Sequence, residues 1–182
     1  MTDYCTMLKH GLCVTAYGAV NPCCATFYDV EKITKETNIV DLVSDPNWQK
    51  LGTNEDNNIP NGFCYGCGYR EEKYNYSTRR KRMNSEYYNY YDRYLRNQNK
   101  KSFVHMDISF GNTCNQKCIM CNSNFSNKWL VDDIELLNII PKKDLVKLYR
   151  NNLLLKNWSL TYDQIDQIIS LIDEHTQTIE FK

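Results

Sequence analysis

The chain has 182 residues, room for one domain or two small ones, and its 22 basic side chains balance 22 acidic ones. That balance excludes a globally charge-driven attachment to nucleic acid or membrane, and no apolar run approaches the ~18 residues of a membrane-spanning helix. The amino terminus has no charged-then-apolar secretory pattern, so a cytoplasmic setting is expected, where thiols stay reduced. The nine cysteines then point to metal or cluster binding rather than to disulfides.

Residues 11–16 alternate well enough for a strand, Tyr17-Gly18 reads as a turn, and Val20 begins a return strand ending at Pro22-Cys23-Cys24. Such a hairpin would bring Cys5 and Cys23 to the same end. Neighbours on a strand point to opposite faces, so Cys23 and Cys24 are not expected to share one site, and Cys23 is the chosen ligand. From 29 to 61 the chain is polar. Within it, Asp45 should cap a short helix with Pro46 at its first position, and 54–62 reads as a loop rich in Asn, Asp, Gly and Pro. Cys64 and Cys67 form a C-x₂-C pair whose flanking glycines, Gly62, Gly66 and Gly68, permit positive φ.

Acidic residues predominate from 1 to 62 and basic ones from 70 to 101, where many tyrosines also lie. A helix is expected over 85–97. Its Tyr87, Tyr91 and Tyr94 recur at helical spacing, which favours packing by a linker helix over stacking on single-stranded nucleic acid. Residues 101–110 should form a strand with Val104, Met106, Ile108 and Phe110 on one side. His105, Asp107 and Ser109 lie on the other, as a buried, hydrogen-bonded polar trio. Beyond the strand come a loop, a helix over about 126–137, a break at Pro141 and a helical stretch over 142–154. Thr161 and Gln164 then make a capping box before an apolar stripe of Ile165, Ile168, Ile169 and Ile172. That helix should end near His175, and 178–182 reads as a second strand.

The loop carries the chemistry. Cys114, Cys118 and Cys121 form a C-x₃-C-x₂-C run, CNQKCIMC. Three thiolates can hold three irons of a [4Fe–4S] cube that usually takes four, leaving one iron open to a cofactor or substrate. A structural zinc site wants four closed ligands, and the trio has no evident local fourth.

The segment 106–121, MDISFGNTCNQKCIMC, resembles the cluster loop of the radical S-adenosylmethionine (SAM) enzymes. The resemblance implies that this loop follows the first strand of a partial β/α barrel. It implies that the three cysteines bind the cube, that SAM chelates the open iron, and that one electron cleaves it to a 5′-deoxyadenosyl radical. Met120 stands where the family often has an aromatic residue. The pattern Cys5…Gly18-x-Val20-x-Pro22-Cys23…Cys64-x₂-Cys67, followed by Glu71, Ser77 and Arg79, resembles the Twitch module, the short form of SPASM. That implies a second [4Fe–4S] cluster on Cys5, Cys23, Cys64 and Cys67, with a zinc knuckle as the rival. Cys13 and Cys24 are left over as small buried hydrophobes.

The expected fold is therefore α/β: a small cysteine-rich α+β module at 1–76, a basic, tyrosine-rich linker helix at 77–100, and the truncated start of a radical SAM barrel at 101–182, ending at its second strand. A parallel strand pair needs a crossover, and the helices between the two strands supply it. The expected function is reductive cleavage of SAM to start radical chemistry on a substrate that is not legible, in a longer protein, with this piece alone inactive. A flavodoxin or ferredoxin is the implied electron donor, and neither membrane nor nucleic acid is expected as a partner. The alternative is a non-catalytic module stapled by zinc or a cluster, binding RNA through the basic tyrosine segment.

Overall fold

The computed structural model describes residues 5–26, 29–50, 65–74, 85, 102–114, 116–119, 121, 123, 125–139 and 158–181. Helix α1 (Thr6–His10) leads into strand β1 (Gly11–Val14), followed by β2 (Ala19–Asn21) and β3 (Glu31–Lys32). Two short helices, α2 (Ile39–Ser44) and α3 (Pro46–Lys50), come next, then α4 (Tyr65–Tyr74). Strand β4 (His105–Ile108) precedes a 3-10 turn (Asn127–Trp129) that runs into α5 (Leu130–Ile139). Helix α6 (Tyr162–Ser170) and strand β5 (Thr178–Phe181) close the described fold. The strands form one mixed sheet in the order β3-β2-β1-β4-β5. No described helix is long and apolar enough to cross a membrane.

The expected hairpin forms. Gly18 takes φ 79 at its turn, a conformation that costs glycine little, and Cys13 and Val14 pair with Asn21 and Val20. β1 also pairs in parallel with β4, from Gly11↔His105 to Val14↔Ile108. Strands from the expected amino-terminal module and the expected barrel start thus share one sheet. β4 pairs in parallel with β5, His105 to Thr178 through Ile108 to Phe181, and the chain between them makes the crossover such a pair demands.

One face of the sheet is the apolar core. Leu12, Val14, Val20, Met106 and Ile108 pack with Ile39, Val43 and Trp48 of α2 and α3, and with Ile168 of α6. Fully burying each such side chain is worth about 1.5–3 kcal/mol. α3 begins as its sequence demands, with Asp45 Oδ1 accepting from Asn47 N at 2.7 Å. α2 escaped the sequence reading, although Asn38 caps it by accepting from Asp41 N at 3.1 Å. α1 lies close on the sheet because position 11 has no side chain. A Cβ there would meet Pro22 O at 2.2 Å and Met7 O at 2.6 Å.

The other face carries the polar residues. The registers line up Asn21, Cys13, Asp107 and Glu180 in one row across four strands. His105, Asp107 and Ser109 are all buried, so β4 is covered on both sides. His10 Nδ1–H donates to Ser102 O at 2.9 Å.

Four expectations change. Gly66 and Gly68 do not form a knuckle of positive φ but lie within α4, where each costs about 1 kcal/mol relative to alanine. α6 ends at Ser170, not near His175. Asp173 ends the run instead, accepting from His175 N at 2.9 Å while its own N–H donates to Thr176 Oγ1. Ile169 (56% exposed) and Ile172 (40%) point away from the core, because the packed stripe is Gln164, Ile165 and Ile168. Phe110 (41% exposed) is turned outward and stacks on Phe181, ring centroids 5.4 Å apart. Of the expected helix at 85–97 only Ser85 is described. The expected helix at 142–154 lies outside the described residues, as does Cys64.

Candidate iron–sulfur loop

The cysteine run leaves the carboxyl end of β4, the central parallel strand. In open α/β sheets, ligands bind beyond the carboxyl ends of the strands. A strap fixes the start of the loop: Gly111 bridges Ser159, Asn112 N donates to Trp158 O at 3.0 Å, and Trp158 N donates to Asn112 Oδ1 at 3.0 Å. The Trp158 indole also packs against the hairpin turn, where a Cβ on Gly18 would meet it at 2.7 Å.

The loop body is tied to the helical turn that follows. Cys114 N donates to Asn127 Oδ1 at 3.3 Å, Ser126 Oγ donates to Gln116 O at 2.8 Å, and Trp129 Nε1 donates to Cys118 O at 2.9 Å. Cys118 O also accepts from Cys121 N at 2.9 Å, placing two of the three cysteines on one tight turn. Lys117 pairs with Asp132, and its ammonium stands 4.9 Å from the Trp129 ring centroid.

The three cysteines are free thiols, Cys118 exposed and Cys114 and Cys121 half-buried. Gln116 N donates to Cys114 Sγ at 3.4 Å, and Cys118 Sγ donates to Gln116 Oε1 at 3.5 Å. Among the described residues, no three His, Cys, Asp or Glu side chains converge closely enough to hold a metal ion. The donor chemistry suits a cluster, since three soft, accessible thiols lie within eight residues. Closing on one requires the sulfurs to swing together, and coupling of this kind between ligation and local folding is usual.

Cys5 and Cys23 lie towards the other end of the sheet. β2 runs antiparallel to β1, so Cys23 follows at the end from which Cys5 and α1 enter. Cys67 rides on α4 and is half-buried. Cys23 and Cys24 fall beyond β2, in a turn, so strand alternation does not separate them. The Cys24 side chain bonds to Cys13, while Cys23 Sγ accepts from Ala25 N at 3.4 Å. Cys13 is buried as expected, but Cys24 is exposed. The bond with Cys24, burial and the nearby Asp107 charge all push the Cys13 thiol far up, so it stays protonated.

No family model, curated protein or solved structure matches the chain.

Proposed function

We propose that this chain is an iron–sulfur protein of the radical SAM type. In this reading Cys114, Cys118 and Cys121 hold a [4Fe–4S] cluster with one iron left for SAM, and Cys5, Cys23, Cys64 and Cys67 hold a second cluster. When bound, the three-cysteine cluster supplies one electron at an iron with an open position, for reductive cleavage of SAM. The observation that carries the reading is the C-x₃-C-x₂-C run leaving the carboxyl end of the central parallel strand of an α/β sheet.

Some described parts of the chain have a task in this reading. The strap at Trp158 and Asn112 anchors the loop to the sheet. Asp107 and Ser109, buried on the sheet's second face, lie on the chain that leads up to the loop.

The test is anaerobic reconstitution with iron and sulfide. Binding of about eight irons per chain, a brown chromophore, and an electron paramagnetic resonance signal of the reduced protein that changes when SAM is added support the reading. Uptake of zinc in preference to iron, with no chromophore, would sink it.

A further inference from the structure

The 3-10 turn at Asn127–Trp129 does more than start α5. Together with Ser126, it sends three side chains back to three residues of the cysteine loop. Asn127 Oδ1 holds the amide of Cys114, Ser126 Oγ holds the carbonyl of Gln116, and Trp129 Nε1 holds the carbonyl of Cys118. The three bonds join 114 to 127, 116 to 126 and 118 to 129, like rungs between rails only a few residues long. The turn itself is fixed. Asn127 N donates to Asn112 O at 2.9 Å and Trp129 N to Ser126 O at 3.1 Å, and Ser126 and Asn112 are buried.

All three rungs end on main-chain atoms of the loop. They set where the Cys114 and Cys118 side chains originate without using either sulfur. The Trp129 donor steadies the main chain at an exposed cysteine. A loop that must present thiols at cluster spacing gains a fixed origin for each arm, and small displacements of such origins loosen a site. The Cys118 carbonyl is where this matters most, since it accepts both the Trp129 indole and the Cys121 amide. It therefore links the arm of the second cysteine to that of the third.

We infer that Asn127 and Trp129 are positioning residues for the three-cysteine cluster, with the turn at 127–129 acting as the template that spaces Cys114 from Cys118. This rests on the proposed cluster function. Asn127 acts through its acceptor oxygen and Trp129 through its indole N–H, neither touching the cluster itself.

The variants are Trp129→Phe, Asn127→Ala and Asn127→Asp. Phenylalanine keeps a ring beneath Lys117 but has no N–H, and aspartate keeps an oxygen where alanine has none. Each is reconstituted anaerobically, and the rate of iron loss to a chelator is measured beside the spectrum of the reduced cluster. Trp129→Phe and Asn127→Ala should lose iron about three- to tenfold faster than wild type, the scale of one hydrogen bond, with altered g anisotropy. Asn127→Asp should return to within about twofold of wild type. Wild-type rates and spectra in both Trp129→Phe and Asn127→Ala would overturn the template while leaving the cluster in place. So would Asn127→Asp losing iron as fast as Asn127→Ala. A wild-type chain that takes up no iron would instead overturn the cluster reading and the template with it.

Discussion

Tyr17, at the hairpin turn, donates its hydroxyl to Asp29 Oδ1 at 3.2 Å, and Asn21 Nδ2 donates to the same oxygen at 3.3 Å. Asn21 Oδ1 in turn accepts from Val30 N at 2.7 Å, so the network ties β2 to the chain entering β3. Partial burial and the neighbouring Asp29 charge push the Tyr17 phenol up to about 12 from an ordinary 10.0. Below pH 10 the phenol is protonated in both folded and unfolded chains. Between about 10 and 12 the unfolded chain releases a proton that the folded chain keeps, so stability falls as pH rises through that window. Urea midpoints from pH 8 to 12 should show this fall, and Tyr17→Phe should flatten it while losing about 0.5–1.5 kcal/mol at pH 8 with the hydrogen bond. Gly18 makes a second residue-scale case. A side chain there is strained by the φ of 79 and meets the Trp158 indole at 2.7 Å. Gly18→Ala should therefore cost about 1–3 kcal/mol in chemical denaturation, and a loss within error would mean that Trp158 moves aside.

Helix α6 shows how far local chemistry carries an element and where it stops. Its capping box forms as the sequence specifies, with Gln164 N donating to Thr161 Oγ1 at 3.2 Å and Thr161 N to Gln164 Oε1 at 3.1 Å. Start signals of this kind lie within four residues, so Asp45-Pro46 and Thr161-x₂-Gln164 could be read without the fold. The end of α6 could not, because Asp173 stops the helix by turning on Thr176 and His175, a competition that periodicity does not register. Nor could the second use of Gln164. Its Nε2 donates to Thr34 O at 2.8 Å and Thr37 O at 3.0 Å, across 130 residues of sequence for the longer link. A polar residue on the buried stripe is thus explained by two carbonyls that only the tertiary fold brings near. The consequence is a ranking. Thr161→Ala should cost about 1 kcal/mol as the loss of a helix cap. Gln164→Ala should cost more, about 2–4 kcal/mol, since it also removes the side-chain donor to Thr37 O and one of the two donors to Thr34 O. Equal losses in thermal unfolding would show that the long-range pair contributes nothing.

At the scale of the molecule, the sheet sets Cys5 and Cys23 apart from the cysteine loop that follows β4. Because β1 and β4 run in parallel, the chain after β4 emerges at the end opposite Cys5 and Cys23. Four residues of strand, at about 3.3 Å each, put some 10–13 Å between those ends. The spacing of Cys114, Cys118 and Cys121 was visible in the sequence because it is local. The shared sheet was not, because the β1–β4 pairing joins strands more than ninety residues apart and leaves no local pattern. In the proposed reading, the cluster on Cys114, Cys118 and Cys121 therefore loads apart from Cys5 and Cys23, which lie towards the other end of β1 and β4. Cys118→Ala removes a thiol from the loop but leaves Trp129 its main-chain carbonyl to bind, so the turn at 127–129 should keep its place. After anaerobic reconstitution this variant should hold about half the wild-type iron and lose the spectral response to SAM. The Cys23→Ala variant should also lose about half the iron but keep that response. If either single replacement empties both sites, the two ends of the sheet do not fold and load separately, and the partition drawn from the parallel β1–β4 pair is wrong.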